Sequence, residues 1–125
     1  MRSQKIMIDI RRFKRENAEE VSYLIRKALT EVNSKDYSQE LIQFLCKNYS
    51  PERIVEESSN LLMCIAIENE RILGTISLKN NVILGLFVNP KFHDKGFGTK
   101  LMDFVEAIVR KRNYKSVIVP SSTTA

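Results

Sequence analysis

The chain has 125 residues, of which 43% are apolar and 28% charged, and a formal net charge of +5. That length suits one domain with one core, and that composition excludes a disordered or collagen-like chain. The N-terminus MRSQKIMIDIRRF has no signal-peptide core and the longest apolar run, LLMCIAI, is too short to span a bilayer. A soluble, cytoplasmic protein with no membrane partner is therefore expected.

In chain order, KIMIDIRRF alternates as a strand, with Ile6, Ile8 and Ile10 on one face and Met7 and Asp9 on the other. Asn17 and Glu20 then read as an Asn-x-x-Glu capping box. The helix it opens carries Val21, Leu24, Ile25, Ala28, Leu29 and Val32 at helical spacing. A second helix is expected after Ser38, with Leu41, Ile42, Leu45 and Tyr49 on one side. Ser50-Pro51 looks like an N-cap followed by proline in the first turn, which starts a short third helix.

The middle of the chain turns to β. LLMCIAI, ILGTISL and VILGLFV are three apolar strands joined by the short polar turns ENER and KNN, so antiparallel hairpins are expected. Next, VNPKFHDKGFG passes through Pro90, Gly96 and Gly98 into a helix whose apolar face holds Phe97, Leu101, Phe104, Val105, Ile108 and Val109. KSVIVP closes the order as a last strand, parallel to VILGLFV because a helix crosses over between them. The fold class is α/β, a mixed sheet with helices, in a single domain over residues 1–125.

The chemistry concentrates at the glycine turn. Residues 91–115 carry seven basic and three acidic side chains, whereas residues 16–90 carry seven basic and eleven acidic. No aromatic and basic residues interleave as on a single-strand-binding surface, which argues against nucleic acid. A strand that turns through glycines into a helix N-terminus is a phosphate-holding arrangement. The dinucleotide fingerprint fails because position 101 is Leu101, and the P-loop fails because Thr99 separates Gly98 from Lys100. His93 is the only histidine, and Cys46 and Cys64 lack the spacing of a metal or redox pair. No metal is expected, and both thiols are read as buried and reduced.

Val88, Pro90, Gly96 and Gly98 stand in the register V-x-P-x-x-[RQ]-x-x-G-x-[GA], with His93 at the Arg/Gln position. Here the sequence resembles the GNAT superfamily of acyl-CoA-dependent N-acetyltransferases, and ERILGTISL and GTKLMDFVEAIV extend the likeness over nearly the whole chain. The resemblance implies acetyl-CoA as co-substrate. Its pyrophosphate would lie on the turn formed by His93, Asp94, Lys95, Gly96, Phe97, Gly98, Thr99 and Lys100. Its pantetheine arm would run along Leu86, Phe87 and Val88, with Gly85 as a bulge and a main-chain N–H near Phe87 polarising the thioester carbonyl.

Two departures stand beside that likeness. The family often has a glutamate base early in its fourth strand, where this chain has Val82. The family also continues into a helix bearing a thiolate-protonating tyrosine, whereas this sequence stops at Ala125, so a C-terminally truncated GNAT-like fold is expected. Tyr114 sits at the wrong end of the last strand for that role, and the catalytic acid and base stay unassigned. The expected function is acetyl transfer from acetyl-CoA to an amine, either a small amine or a protein or peptide amino group. The net acidity of residues 16–90 favours a cationic acceptor. The alternative is a catalytically silent CoA-binding or interaction module. An unpaired SVIVP edge would favour a homodimer through that strand.

Overall fold

In the computed structural model, which describes residues 8–33, 38–92 and 95–119, four antiparallel strands lie side by side in chain order. These are β1 (Asp9–Arg12), β2 (Leu62–Glu68), β3 (Arg71–Lys79) and β4 (Val82–Val88). Two-residue turns join the last three strands, and Asn69, Glu70 and Asn80 adopt the left-handed backbone that such tight hairpins use. Between β1 and β2 come the helices α1 (Ala18–Asn33), α2 (Gln39–Asn48) and α3 (Pro51–Ser58), and β4 leads into α4 (Phe97–Lys111). The start of α3 follows the local signals: the Ser50 side chain accepts from the Arg53 amide at 3.3 Å, with Pro51 in the first turn. Residues Ile6 and Met7, and the side chains of Val32, Leu41, Ile42, Leu45 and Cys46, lie outside the described residues.

Two expectations change. Asn17 does not cap α1 with Glu20; it ends a 3-10 turn over Arg15–Asn17, and its Oδ1 accepts from the Lys14 amide at 2.8 Å. Glu20 reaches across the molecule instead, where its Oε2 accepts from the Ile72 amide at 2.8 Å. The cause lies in the sheet. Pairing shifts between Ala66 and Ile67, so that Leu73 is an extra residue on β3. The Ile72 amide, beside this break and beyond the end of β4, takes a side-chain acceptor in place of a ladder partner.

The second change is the last strand. Within the described residues it is reduced to one parallel bridge, Ile118 beside Val82. Ile118 donates to the Asn81 carbonyl at 2.7 Å, and Ile83 donates to the Ile118 carbonyl at 2.9 Å. The direction is the expected one. Immediately after the bridge β4 bulges at Leu84, which interrupts the evenly spaced donors that a parallel ladder requires. Pro120 lies outside the described residues.

The sheet separates two apolar layers. On one face Phe97, Leu101, Val105 and Val109 of α4 pack on Cys64, Ile76 and other strand residues. On the other face Val21, Leu24 and Ile25 of α1 and Ile54 of α3 meet Met63 and Ile65. β2 contributes to both layers, which explains why LLMCIAI shows no alternation. Cys64 is buried as expected, and burial pushes its thiol up, with Arg12 opposing. Among the described residues no helix is long and apolar enough to cross a membrane.

Phe97 is fully buried, whereas Phe44 on α2 is 61% exposed. Urea unfolding should show a loss of about 3–5 kcal/mol for Phe97→Ala and a change within about 0.5 kcal/mol for Phe44→Ala.

Candidate functional site

β4 decides what the site contains. Its segment VILGLFV is apolar throughout, so its two faces cannot be told apart by residue type. The pairing moves from Leu78–Ile83 to Ser77–Gly85, leaving Leu84 as a bulge. That one-residue slip puts Ile83, Leu86 and Val88 together on the α4 side, although strict alternation would oppose Ile83 to the other two. Phe87 faces the α1 layer. Leu84 is pushed outward and is 49% exposed. Gly85, expected as the bulge, is its immediate neighbour.

The ladder also fixes which amides face outward. Asn89 donates to the Leu73 carbonyl at 2.8 Å, and Thr75 and Phe87 are partners two residues further along. By the alternation of an antiparallel ladder, the Phe87 amide is turned toward Thr75. The amides of Leu86 and Val88 are turned away from β3. The main-chain donor expected near Phe87 is thus supplied by its neighbours.

After Val88 the chain folds through a 3-10 turn over Pro90–Phe92, held by Phe92 N–H donating to the Asn89 carbonyl at 2.8 Å. The buried Asn89 accepts from the Lys91 amide at 3.0 Å through its Oδ1. Phe92 stacks edge-on against Phe97, with ring centroids 6.0 Å apart, and this contact seats the helix N-terminus on the strand. Lys95 donates to the Phe92 carbonyl at 3.0 Å. The first intrahelical bond runs from the Lys100 amide to the Gly96 carbonyl at 3.0 Å. Ahead of it the amides of Phe97, Gly98 and Thr99 stand at the positive end of a 15-residue helix.

The two glycines do different work. Gly96 has φ +87 and nothing within 4 Å of an added Cβ, so its requirement is conformational. Gly98 has an ordinary backbone, and an added Cβ would meet only Val88 and Leu86 at 3.9 and 4.0 Å. The protein therefore has room for a side chain at 98, and the bare backbone there leaves space on its surface beside the free amides. Lys95 and Lys100 are exposed on either side. His93 and Asp94 lie outside the described residues. The Phe97 side chain belongs to the core, so only its amide is available to a ligand.

On the opposite face of β4 lies a cavity of about 300 Å³ between α1, α3 and the strands. Phe87, Gly85 and Ser77 form its floor, while Tyr49, Arg53 and Glu57 stand around it. Tyr49 packs edge-on against Phe87 at 5.8 Å between centroids. Its main-chain carbonyl accepts from the Ser22 hydroxyl at 2.6 Å, which ties the end of α2 to α1. Burial, and secondarily the charge of Glu57, push the Tyr49 phenol up from its usual value of 10.0, so it remains a protonated donor at neutral pH. Sequence reading passed over Tyr49, Arg53 and Glu57 as cavity residues. Their one signal is the Ser50-Pro51 helix start, which sets Arg53 and Glu57 one turn apart on the same face. The other candidates are elsewhere: Asn69 and Glu70 lie on an exposed hairpin, and Tyr114 follows α4.

The glycines give a sharp stability contrast. Gly96→Ala should cost about 1–2 kcal/mol in urea unfolding because of its left-handed backbone. Gly98→Ala should be neutral or stabilising by up to about 1 kcal/mol. For Tyr49, the folded state holds its proton more tightly than the unfolded state, so its contribution is complete below pH 10 and lost as pH rises through the folded value. Stability of the wild type should fall more steeply above pH 10 than that of Tyr49→Phe, measured by urea unfolding at stepped pH.

Residues 33–125 match the family model described as acetyltransferase (GNAT) domain. No curated protein sequence matches the chain. Solved structures are similar in fold. A GCN5-related N-acetyltransferase from Rhodopseudomonas palustris gives TM-score 0.83 at 22% identity, covering 96% of this chain and 77% of that one. The PaiA N-acetyltransferase from Thermoplasma acidophilum, solved with coenzyme A, gives 0.76 at 24% identity, covering 86% and 75%. A GNAT family acetyltransferase from Brucella melitensis, solved with acetyl-CoA, gives 0.68 at 19% identity, covering 92% and 76%. The strand, bulge and glycine turn described above are thus set in a fold shared with these enzymes, and the family match covers most of the sequence: the chain belongs to the GNAT acetyltransferase domain family.

Proposed function

We propose that this chain transfers the acetyl group of acetyl-CoA to an amine. The observation that carries the reading is the space at Gly98. It has no conformational reason to be glycine, yet it adjoins three free helix-start amides between two lysines. A diphosphate bound there accepts from the amides of residues 97–99 and gains from the helix dipole, and Lys95 and Lys100 add screened attraction. The expected ligand positions Leu86 and Val88 carry outward amides suited to an extended amide-bearing arm. They also place a thioester beside Phe87, whose other side is the cavity floor.

The cavity supplies the acceptor side, which distinguishes this reading from a CoA-binding module without chemistry. Acetyl transfer needs a neutral amine, a donor to the thioester oxygen and a proton for the leaving thiolate. The outward amides of β4 serve as the donor. Tyr49, kept protonated, stands on the cavity side of Phe87 as the available acid. The fold and cavity serve small amines better than a folded protein surface, because 300 Å³ is at the small end of ligand pockets.

Calorimetry with acetyl-CoA gives the test. Gly98→Val should abolish binding while retaining the wild-type unfolding midpoint, and Lys100→Ala should weaken binding several-fold and flatten its salt dependence. Unchanged affinity in Gly98→Val would place the cofactor elsewhere.

A further inference from the structure

The lining of the cavity has one carboxylate, Glu57, and its walls are otherwise apolar or neutral apart from Arg53. Arg53 is already engaged: its guanidinium lies 3.2 Å from Glu56 and 3.8 Å from Glu57. Two carboxylates against one guanidinium leave this rim with a net charge of −1. Glu56 is the nearer partner, and Glu57, with its side chain 52% exposed, keeps acceptor capacity facing the opening. Below the rim, Ile25, Ile54, Leu61, Met63, Leu84 and Phe87 form the hydrocarbon part of the wall.

A pocket with one negative rim charge over an apolar interior suits a ligand with one ammonium on a slim hydrocarbon body. It suits poorly a polyhydroxylated or polycationic ligand, whose additional polar groups would be desolvated against Ile, Leu, Met and Phe without partners. We infer that Glu57, on α3, is the carboxylate that recognises and deprotonates the acceptor, and that the acceptor is a primary alkylamine or arylalkylamine. This rests on the acetyl-transfer reading above and names the substrate class of that site. It also supplies the base for which β4 has only Val82.

The step balances as follows. The ammonium passes one proton to the Glu57 carboxylate and becomes a neutral amine. The amine nitrogen attacks the thioester carbonyl, forming C–N, and the C–S bond breaks with its electron pair leaving on sulfur. The second nitrogen proton ends on the thiol. Glu57 returns its proton to water through its exposed side. The products are the N-alkylacetamide, CoA thiol and one proton.

The test uses the full chain and n-hexylamine, with and without acetyl-CoA. Calorimetry in the absence of acetyl-CoA should show saturable 1:1 binding of hexylamine, weakened at least tenfold in Glu57→Gln. Glu57→Asp should restore part of it. 6-Aminohexanoate, which adds a carboxylate, should bind more weakly than hexylamine. With acetyl-CoA, kcat/KM for hexylamine should fall at least about a hundredfold in Glu57→Gln. Equal hexylamine affinity in wild type and Glu57→Gln, or preferred binding of 6-aminohexanoate through Arg53, would overturn the assignment. Intact acetyl-CoA binding with no hexylamine binding would sink this inference alone. Charge-dependent hexylamine binding without acetyl-CoA binding would sink the transfer reading and leave the recognition by Glu57 standing.

Discussion

The bulge at Leu84 is the feature on which the site depends. Strict two-residue alternation along β4 would send Ile83 to one face and Leu86 and Val88 to the other. The extra residue puts all three against α4, so the start of the strand is anchored in the core while its end supports the glycine turn. The same slip brings Gly85 and Phe87 to the floor of the cavity. A site for an anion and a site for a second substrate are thereby placed on opposite sides of one strand. Nothing thicker than a backbone separates them.

The second bulge, at Leu73 on β3, works in concert with the first. It aligns Leu73 with Ile76 and Leu78 on the α4 face and leaves Ile72 for the α1 face. Glu20 then joins α1 to the break by accepting from the Ile72 amide, a contact between residues 52 apart in sequence. Through Ser22, α1 also holds the main-chain carbonyl of Tyr49. One helix therefore ties the irregular part of the sheet to the wall of the cavity, and it does so with hydrogen bonds whose loss would leave buried or half-buried polar groups unpaired.

What could be read from the sequence was local. Ser50-Pro51 starts α3 because the cap and the constrained proline act within one turn, and the V-x-P…G-x-G register marks the strand-to-helix turn because its geometry needs those residues in that order. Asn17 and Glu20 carried the same kind of local signal and misled, since the partner of Glu20 comes from β3. The bulges were invisible in VILGLFV and ILGTISL, where apolar residues on both faces erase the period-2 pattern. Tyr49, Arg53 and Glu57 escaped notice for a different reason. Each is ordinary in its own helix, and only packing of α2 and α3 over β3 and β4 brings them to one cavity. The roles of Gly96 and Gly98 could not be separated without the backbone angle of the first and the empty space over the second.

The claim at the centre is that β4 and the start of α4 present their free amides to one extended ligand. Backbone ¹⁵N–¹H NMR of the chain titrated with acetyl-CoA tests it most directly. The amides of Leu86, Val88, Phe97, Gly98 and Thr99 should shift together and saturate at one stoichiometry, while those of β1 and the Asn69–Glu70 hairpin stay in place. Shifts confined to β1 and that hairpin, or shifts at Gly98 without any at Leu86 and Val88, would contradict it.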